Sequence, residues 1–147
     1  MSDLQRVEIL LVEDNPRDAE MTLRSLQKHN FAVRAHWVKD GAEALDFMFS
    51  EGEYAGRVAS RTLKLVLLDI KMPKVDGIEV LRRLKADART RTTPVVIMTS
   101  SQEERDMVES YALGVNSYIV KPVQFEAFLE TVANVGLYWV LANRTPR

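Results

Sequence analysis

Short, mostly apolar runs alternate along the chain with stretches in which apolar residues recur every three or four positions. The apolar runs cover residues 7–12, 32–38, 65–69, 94–98 and 116–120. Continuous apolar runs of this length are typical of strands buried on both faces of a parallel sheet, whereas the intervening periodicity is typical of amphipathic helices. The alternation therefore predicts an α/β fold with a doubly wound, five-stranded parallel sheet.

Residues at the ends of the periodic stretches mark the predicted helix boundaries. Asn15 is placed to cap a first helix that opens with Pro16, and Gly114 is placed to end the fourth helix. The segment 50–62 is polar and contains glycine, so we predict a long loop there. The helices are expected at about 16–29, 41–48, 78–84, 103–113 and 124–141.

The last predicted helix differs from the others because its apolar residues do not stay on one face. From 124 to 141 it would be about 27 Å long, amphipathic at first and apolar on all sides from Leu137 onward. One face cannot bury all of these side chains, so they need a second surface. We therefore predict a helical extension over about 134–147 and a homodimer interface formed by Tyr138, Trp139, Val140 and Leu141.

Composition narrows the class of protein. A chain of 147 residues predicts one domain, 1–147, with a sizeable core. With 20 basic and 21 acidic residues, the charge of −1 gives no reason to expect binding to nucleic acid or an anionic membrane. The absence of cysteine excludes disulfides, thiolate metal sites and a cysteine nucleophile. No signal peptide or membrane span is recognisable, so we expect a cytoplasmic protein.

Polar residues follow four of the predicted strands at the point where each strand ends. Glu13 and Asp14 follow the first strand, Asp69 ends the third, and Thr99 and Lys121 follow the fourth and fifth. The carboxyl ends of parallel strands meet at one edge of the sheet, which is where open α/β sheets place their sites. We therefore expect these side chains to lie close together.

The chemistry of this group of side chains favours phosphoryl transfer. Two carboxylates about 4 Å apart repel each other by roughly 4 kcal/mol at an effective dielectric constant near 20, so a proton or a cation has to lie among Glu13, Asp14 and Asp69. Ligands that are all oxygen favour Mg²⁺. Asp69 is then placed to attack phosphorus, while the metal and Lys121 neutralise phosphoryl oxygens.

The chain resembles the receiver domains of two-component response regulators over nearly its whole length. The resemblance rests on Val12-Glu13-Asp14-Asn15-Pro16, Asp69-Ile70-Lys71-Met72-Pro73, Asp76-Gly77, Thr99-Ser100 and Lys121-Pro122. It implies a flavodoxin-like strand order, 2-1-3-4-5. It also implies a protein that catalyses only its own phosphorylation and dephosphorylation.

The resemblance further implies a role for each residue of the site. Asp69 would accept a phosphoryl group from a histidine kinase. Asp14, Asp69 and the backbone carbonyl of Lys71 would bind Mg²⁺, with Glu13 acting through water. Thr99 and Lys121 would hold the phosphoryl oxygens, and the Lys121–Pro122 peptide bond would be cis. Tyr118 would be an aromatic switch that moves with Thr99.

A narrower resemblance concerns stand-alone receivers that are paired with phytochrome-type kinases and dimerise through their last strand and helix. It rests on the Glu-Asp-Asn-Pro-x-Asp opening at 13–18, the loop 50–62 and the aromatic pair Tyr138-Trp139. Output would then pass through protein contacts or onward phosphate relay.

Three alternatives remain open at this point. A flavodoxin would share the strand order, but the acidic loop 13–18 would repel a flavin phosphate. A phosphoaspartyl hydrolase would carry an Asp-x-Asp pattern after the first strand, and this pattern is missing there. A receiver-like scaffold that works without phosphorylation would usually lack an acid, the threonine or the lysine, and all are present. Trp37 is interpreted as packing on an edge strand.

Overall fold

The computed structural model describes residues 7–27, 34–56, 63–72 and 75–136. Five parallel strands form one sheet in the order β2-β1-β3-β4-β5, which confirms the predicted order. The strands are β1 Ile9–Val12, β2 Ala35–Val38, β3 Leu65–Asp69, β4 Val95–Thr99 and β5 Ser117–Val120. The helices are α1 Pro16–Leu26, α2 Gly41–Phe49, α3 Gly77–Ala86, α4 Gln102–Ser110 and α5 Phe125–Asn134.

The central strands are buried on both sides, as their continuous apolar runs predict. Every residue of β1, β3 and β4 is buried. Alternate residues of each strand enter two separate apolar layers, so that Leu10 and Val66 lie in one layer and Leu11 and Leu67 in the other. The sheet is therefore a rigid platform whose carboxyl edge carries the polar residues.

Four helices begin at a polar residue whose side chain accepts a hydrogen bond from the first turn. Asn15 caps α1 by accepting from the N–H groups of Arg17 and Asp18, as the sequence predicts. The caps of α2, α3 and α4 are Asp40, Asp76 and Ser101. Each of these caps lies in a loop at the carboxyl edge of the sheet, so capping also fixes the loops of the site.

The fourth helix is shorter than predicted. It ends at Ser110, and Ala112 already has a left-handed φ of 51°. Gly114, at φ 79°, lies in the following turn and does not cap the helix. Leu113 and Val115 instead pack against the core from this turn, so their burial does not require helical periodicity.

The prediction of one continuous helix from 124 to 141 is wrong. α5 ends at Asn134, and Gly136 has a φ of 79°, a left-handed conformation that breaks a helix and favours glycine. Residues 137–147, which include the predicted interface Tyr138 to Leu141, lie outside the described residues.

Within the described ranges, no helix is long and apolar enough to cross a membrane.

The loop predicted for 50–62 contains regular structure in its first half. A 3-10 helix covers Gly52–Tyr54, and Tyr54 is buried. The Tyr54 hydroxyl donates to Glu43 Oε2 at 2.7 Å and lies 2.9 Å from His36 Nε2. This segment is therefore fastened to α2 and to the edge strand β2.

Candidate phosphoryl-transfer site

The strand register brings the predicted site residues to one edge of the sheet. Val12 is paired with Leu68, Asp69 with Met98, and Thr99 with Val120. The strands therefore end nearly level. Residues at or just beyond their ends share this edge of the sheet: Glu13, Asp14, Asp69, Thr99 and Lys121.

Three carboxylates form an acidic cluster there. One oxygen each from Glu13, Asp14 and Asp69 lies within 4.8 Å of the others. Glu13 is fully buried and Asp69 is nearly so, whereas Asp14 is exposed. The cluster therefore has one open side, through which a hydrated ion or a phosphoryl group can enter.

Lys121 neutralises part of this charge. Its Nζ lies 3.0 Å from Glu13 Oε1, 3.4 Å from Asp18 Oδ2 and 3.5 Å from Asp69 Oδ2. Burial disfavours the ammonium, but the negative charges of Glu13, Asp69 and Asp18 outweigh this and raise the pKa of Lys121. Lys121 therefore stays charged at any physiological pH.

The single positive charge of Lys121 does not neutralise all three carboxylates of the cluster. Burial raises the pKa of Glu13 to about 8, helped by the adjacent carboxylate of Asp69. Burial also raises the pKa of Asp69, against the lowering effects of Glu13, Lys121 and the Lys71 N–H. Although Glu13 Oε1 is close to Lys121, it has no hydrogen bond of acceptable geometry within the described structure. The pair therefore retains a proton at neutral pH in the absence of another cation.

The donor set fits Mg²⁺ well. All the candidate ligands are oxygens, one buried carboxylate oxygen lacks a hydrogen bond, and hard divalent cations prefer such oxygens. A bound dication would replace the retained proton and offset the burial and the Asp69 charge that raise the pKa of Glu13.

Trp37 contributes to the site, although the sequence indicated only edge-strand packing. Its indole Nε1–H donates to the backbone carbonyl of Glu13 at 2.7 Å, and the Asn15 N–H donates to Glu13 Oε2 at 3.2 Å. These two hydrogen bonds hold Glu13 at its backbone carbonyl and at its carboxylate. The sequence carries no signal for the Trp37 contact, since it depends on the pairing of β1 with β2.

The loop after β3 passes very close to Asp69. The Lys71 N–H lies 3.4 Å from Asp69 Oδ1, and the Gly77 N–H donates to the Ile70 carbonyl at 3.1 Å. A Cβ atom on Gly77 would lie 2.5 Å from the Asp69 carbonyl oxygen and 2.7 Å from the Ile70 Cα. Glycine is therefore required at 77 for steric reasons. Residues 73 and 74 lie outside the described structure.

The loop after β4 is held by an acid that sequence reasoning missed. Thr99 is buried, and its carbonyl accepts from the Lys121 N–H at 2.8 Å. The Glu104 carboxylate accepts from the Ser100 N–H at 2.9 Å and lies 3.3 Å from Lys71 Nζ. Burial opposes the charge of Glu104, but these bonds outweigh it and lower its pKa.

Tyr118 lies half-buried on β5, three residues before Lys121. The Arg105 guanidinium of α4 lies 4.6 Å from the centre of its ring. Burial and the charge of Glu109 raise the pKa of the Tyr118 hydroxyl, against a lowering effect of Arg105. The Lys121–Pro122 peptide bond is cis, which confirms the prediction for this bond.

Comparison with known proteins identifies the class. Residues 9–133 match the model of the response regulator receiver domain, and the chain belongs to this family. Membership excludes the flavodoxin and phosphoaspartyl hydrolase alternatives. It makes the chain a signalling protein and not a conventional enzyme with a separate substrate.

Three similar proteins show what kind of response regulator the chain resembles. The chain is 42% identical over 139 residues to the probable methanogenesis regulatory protein FilR2 of Methanothrix harundinacea, covering 94% of this chain and 86% of that protein. It is 48% identical to the bacteriophytochrome response regulator AtBRR, with a TM-score of 0.85 and coverage of 94% and 98%. The Mn²⁺-bound form of response regulator Rcp1 is 32% identical, with a TM-score of 0.71 and coverage of 96% and 99%; Rcp1 is a Synechocystis protein. The likeness to phytochrome-linked response regulators that the sequence indicates is thus confirmed.

Proposed function

We propose that this response regulator accepts a phosphoryl group from a histidine kinase onto Asp69 in a Mg²⁺-dependent reaction. The observation that carries the proposal is the position of the Asp69 carboxylate. It lies within the acidic cluster on one side and 3.5 Å from Lys121 Nζ on the other. A nucleophile between a cation site and a fixed ammonium is suited to phosphoryl transfer and has no evident structural purpose.

Different residues of the site would attack phosphorus, hold the metal and bind the phosphoryl oxygens. An Asp69 oxygen forms a bond to phosphorus as the bond from phosphorus to the kinase histidine nitrogen breaks. Asp14, Asp69 and the Lys71 carbonyl would hold Mg²⁺, with Glu13 acting through water; when bound, the ion neutralises charge on the phosphoryl oxygens. The Mn²⁺ in the similar protein Rcp1 supports a divalent cation here. Lys121 binds a further phosphoryl oxygen.

Thr99 and Tyr118 would transmit the effect of phosphorylation from Asp69 to the protein surface. Thr99 is the last residue of β4, the strand next to β3, and it lies one residue beyond Met98, the partner of Asp69. Its hydroxyl would serve as a phosphoryl ligand. Tyr118 lies one strand further out, on β5, and would follow Thr99 inward. Phosphorylation would thus alter the surface formed by α4, β5 and α5.

The proposed phosphodonor is a phytochrome-type histidine kinase. This rests on the similarity to the bacteriophytochrome response regulator AtBRR. Onward signalling would use protein contacts or phosphate relay, and a cytoplasmic location stays a prediction from the sequence. Mixing the chain with the phosphorylated kinase domain of such a protein should transfer label to Asp69 and not to the variant Asp69→Asn.

A homodimer through the C-terminal segment is part of the proposal. Val120, on the edge strand β5, is 68% exposed, so this edge of the sheet offers apolar surface beside α5. Tyr138, Trp139, Val140 and Leu141 would supply the other apolar groups. Sedimentation of the full chain should show a dimer at tens of micromolar, and truncation after Asn134 should give a monomer. A wild-type monomer with and without phosphorylation would contradict this.

The second candidate function is a scaffold that binds partners without phosphorylation. The complete set of acids, Thr99 and Lys121 argues against it. If Asp69→Asn leaves partner binding and signalling output unchanged, the scaffold function is correct.

A further inference from the structure

The Glu104 carboxylate connects the two loops that flank the phosphoacceptor position. Its Oε1 accepts from the Ser100 N–H at 2.9 Å, and its Oε2 accepts from the Ser100 hydroxyl at 3.2 Å. The same Oε2 lies 3.3 Å from Lys71 Nζ. Ser100 directly follows Thr99, and Lys71 lies two residues after Asp69. One carboxylate therefore contacts both the loop after β3 and the loop after β4.

The two partners of this ion pair differ in how firmly they are held. The Glu104 side chain is 10% exposed, whereas that of Lys71 is 74% exposed. The Glu104 N–H also donates to Ser101 Oγ at 3.1 Å, which fixes the residue at the start of α4. An exposed ammonium on a flexible stem makes only a weak ion pair. Glu104 is therefore the fixed partner and Lys71 the movable one.

Phosphorylation of Asp69 would give Lys71 a second acceptor. The Lys71 N–H lies 3.4 Å from Asp69 Oδ1, so the lysine stem starts beside the reacting carboxylate. A phosphoryl group carries a charge of about −1.5 to −2 at neutral pH, more than the single charge of Glu104. Its oxygens would compete with Glu104 for the ammonium.

We propose that Glu104 is a positioning residue that holds the Lys71 ammonium away from Asp69, and so slows phosphorylation and shortens the lifetime of the phosphoaspartate. The inference rests on the proposed function of Asp69. During phosphorylation, an Asp69 oxygen bonds to phosphorus as the bond to the donor's leaving group breaks. An ammonium released from Glu104 neutralises phosphoryl oxygens in this step.

The same ammonium, which speeds phosphorylation, slows dephosphorylation. A water oxygen attacks phosphorus, the bond from Asp69 to phosphorus breaks, and inorganic phosphate leaves while Asp69 returns to a carboxylate. Lys71 lying over the phosphoryl group obstructs the path of this water.

The test compares two charge-removing variants in the same turn of α4. Glu104→Gln keeps an oxygen acceptor for Ser100 but removes the charge that holds Lys71. Glu103→Gln, the control, removes the same charge from an exposed neighbour. Each full chain is incubated with Mg²⁺ and phosphoramidate, and phosphorylation and its decay are followed by intact mass. Glu104→Gln should gain the phosphoryl group faster and lose it more slowly, each by about two- to fivefold, while Glu103→Gln should match wild type.

A second comparison separates positioning from a general structural role. In a Lys71→Met background, Glu104→Gln should have no further effect, because the group that it positions is absent. An effect that persists in that background, or equal rates for Glu104→Gln and Glu103→Gln, would overturn the inference while Asp69 remains the phosphoacceptor. A wild type that gains no phosphoryl group would instead refute the proposed function, and this inference with it.

Discussion

Mg²⁺ binding should depend steeply on pH, because the cation and a retained proton compete for the same carboxylates. Burial beside Asp69 raises the pKa of Glu13 to about 8, so the metal-free cluster is protonated at neutral pH. Each pH unit below that value lowers the apparent metal affinity nearly tenfold, or about 1.4 kcal/mol. Between pH 8 and pH 6, the apparent affinity should therefore fall by about fiftyfold.

The folding stability of the metal-free protein should rise as pH falls, whereas its apparent affinity for Mg²⁺ falls. The folded-state pKa of Glu13 is raised from 4.5 to about 8, so between these values the folded chain binds more protons than the unfolded chain. The stability associated with the retained proton is fully present below about pH 4.5 and is lost as pH rises through 8. Saturating Mg²⁺ should restore the lost folding stability at high pH.

Titration calorimetry in two buffers of different ionisation enthalpy measures both the affinity and the protons released. Wild type should release close to one proton per Mg²⁺ at pH 7. Glu13→Gln should bind more weakly, with a much flatter pH dependence. The reasoning would be refuted by a wild-type affinity that is constant from pH 6 to 8 with no proton release.

Three further variants test individual contacts. Lys121→Ala should keep Mg²⁺ binding but lose a charged hydrogen bond worth about 1.5–3 kcal/mol to the phosphoryl group, so phosphorylation measured by intact mass should slow roughly ten- to hundredfold. Lys71→Asn should shorten the half-life of the phosphoaspartate, because it removes the ammonium that would move from Glu104 to the phosphoryl group; an unchanged half-life would contradict this. Gly77→Ala places a Cβ 2.5 Å from the Asp69 carbonyl oxygen, so urea unfolding should show a loss of about 1–3 kcal/mol, and an unaltered midpoint would show that the backbone yields freely.

The strand ends were predictable because a parallel sheet restricts where its polar residues can lie. Asp69 and Lys121 are 52 residues apart in sequence, yet strand periodicity and the rule for the carboxyl edge place them together. The cap at Asn15 was equally predictable, since it depends on local hydrogen bonds only.

Contacts that depend on tertiary geometry were not predictable. The bond from Trp37 to the Glu13 carbonyl requires the pairing of two strands in a particular register. The Lys71–Glu104 pair joins two loops whose relative position no periodicity specifies. The end of α5 was misjudged because apolar residues continue past Gly136, whereas the backbone conformation at that glycine stops the helix.

The central claim is that Asp69 is the phosphoacceptor, and intact-mass spectrometry tests it most directly. Wild type incubated with Mg²⁺ and a small phosphodonor should gain one phosphoryl group, and the gain should disappear with EDTA and in Asp69→Asn. Asp14→Asn, which removes an exposed acid of the same cluster, should slow the gain without relocating it. A phosphoryl group that still appears on Asp69→Asn, or no gain on wild type with Mg²⁺ saturating, would contradict the account.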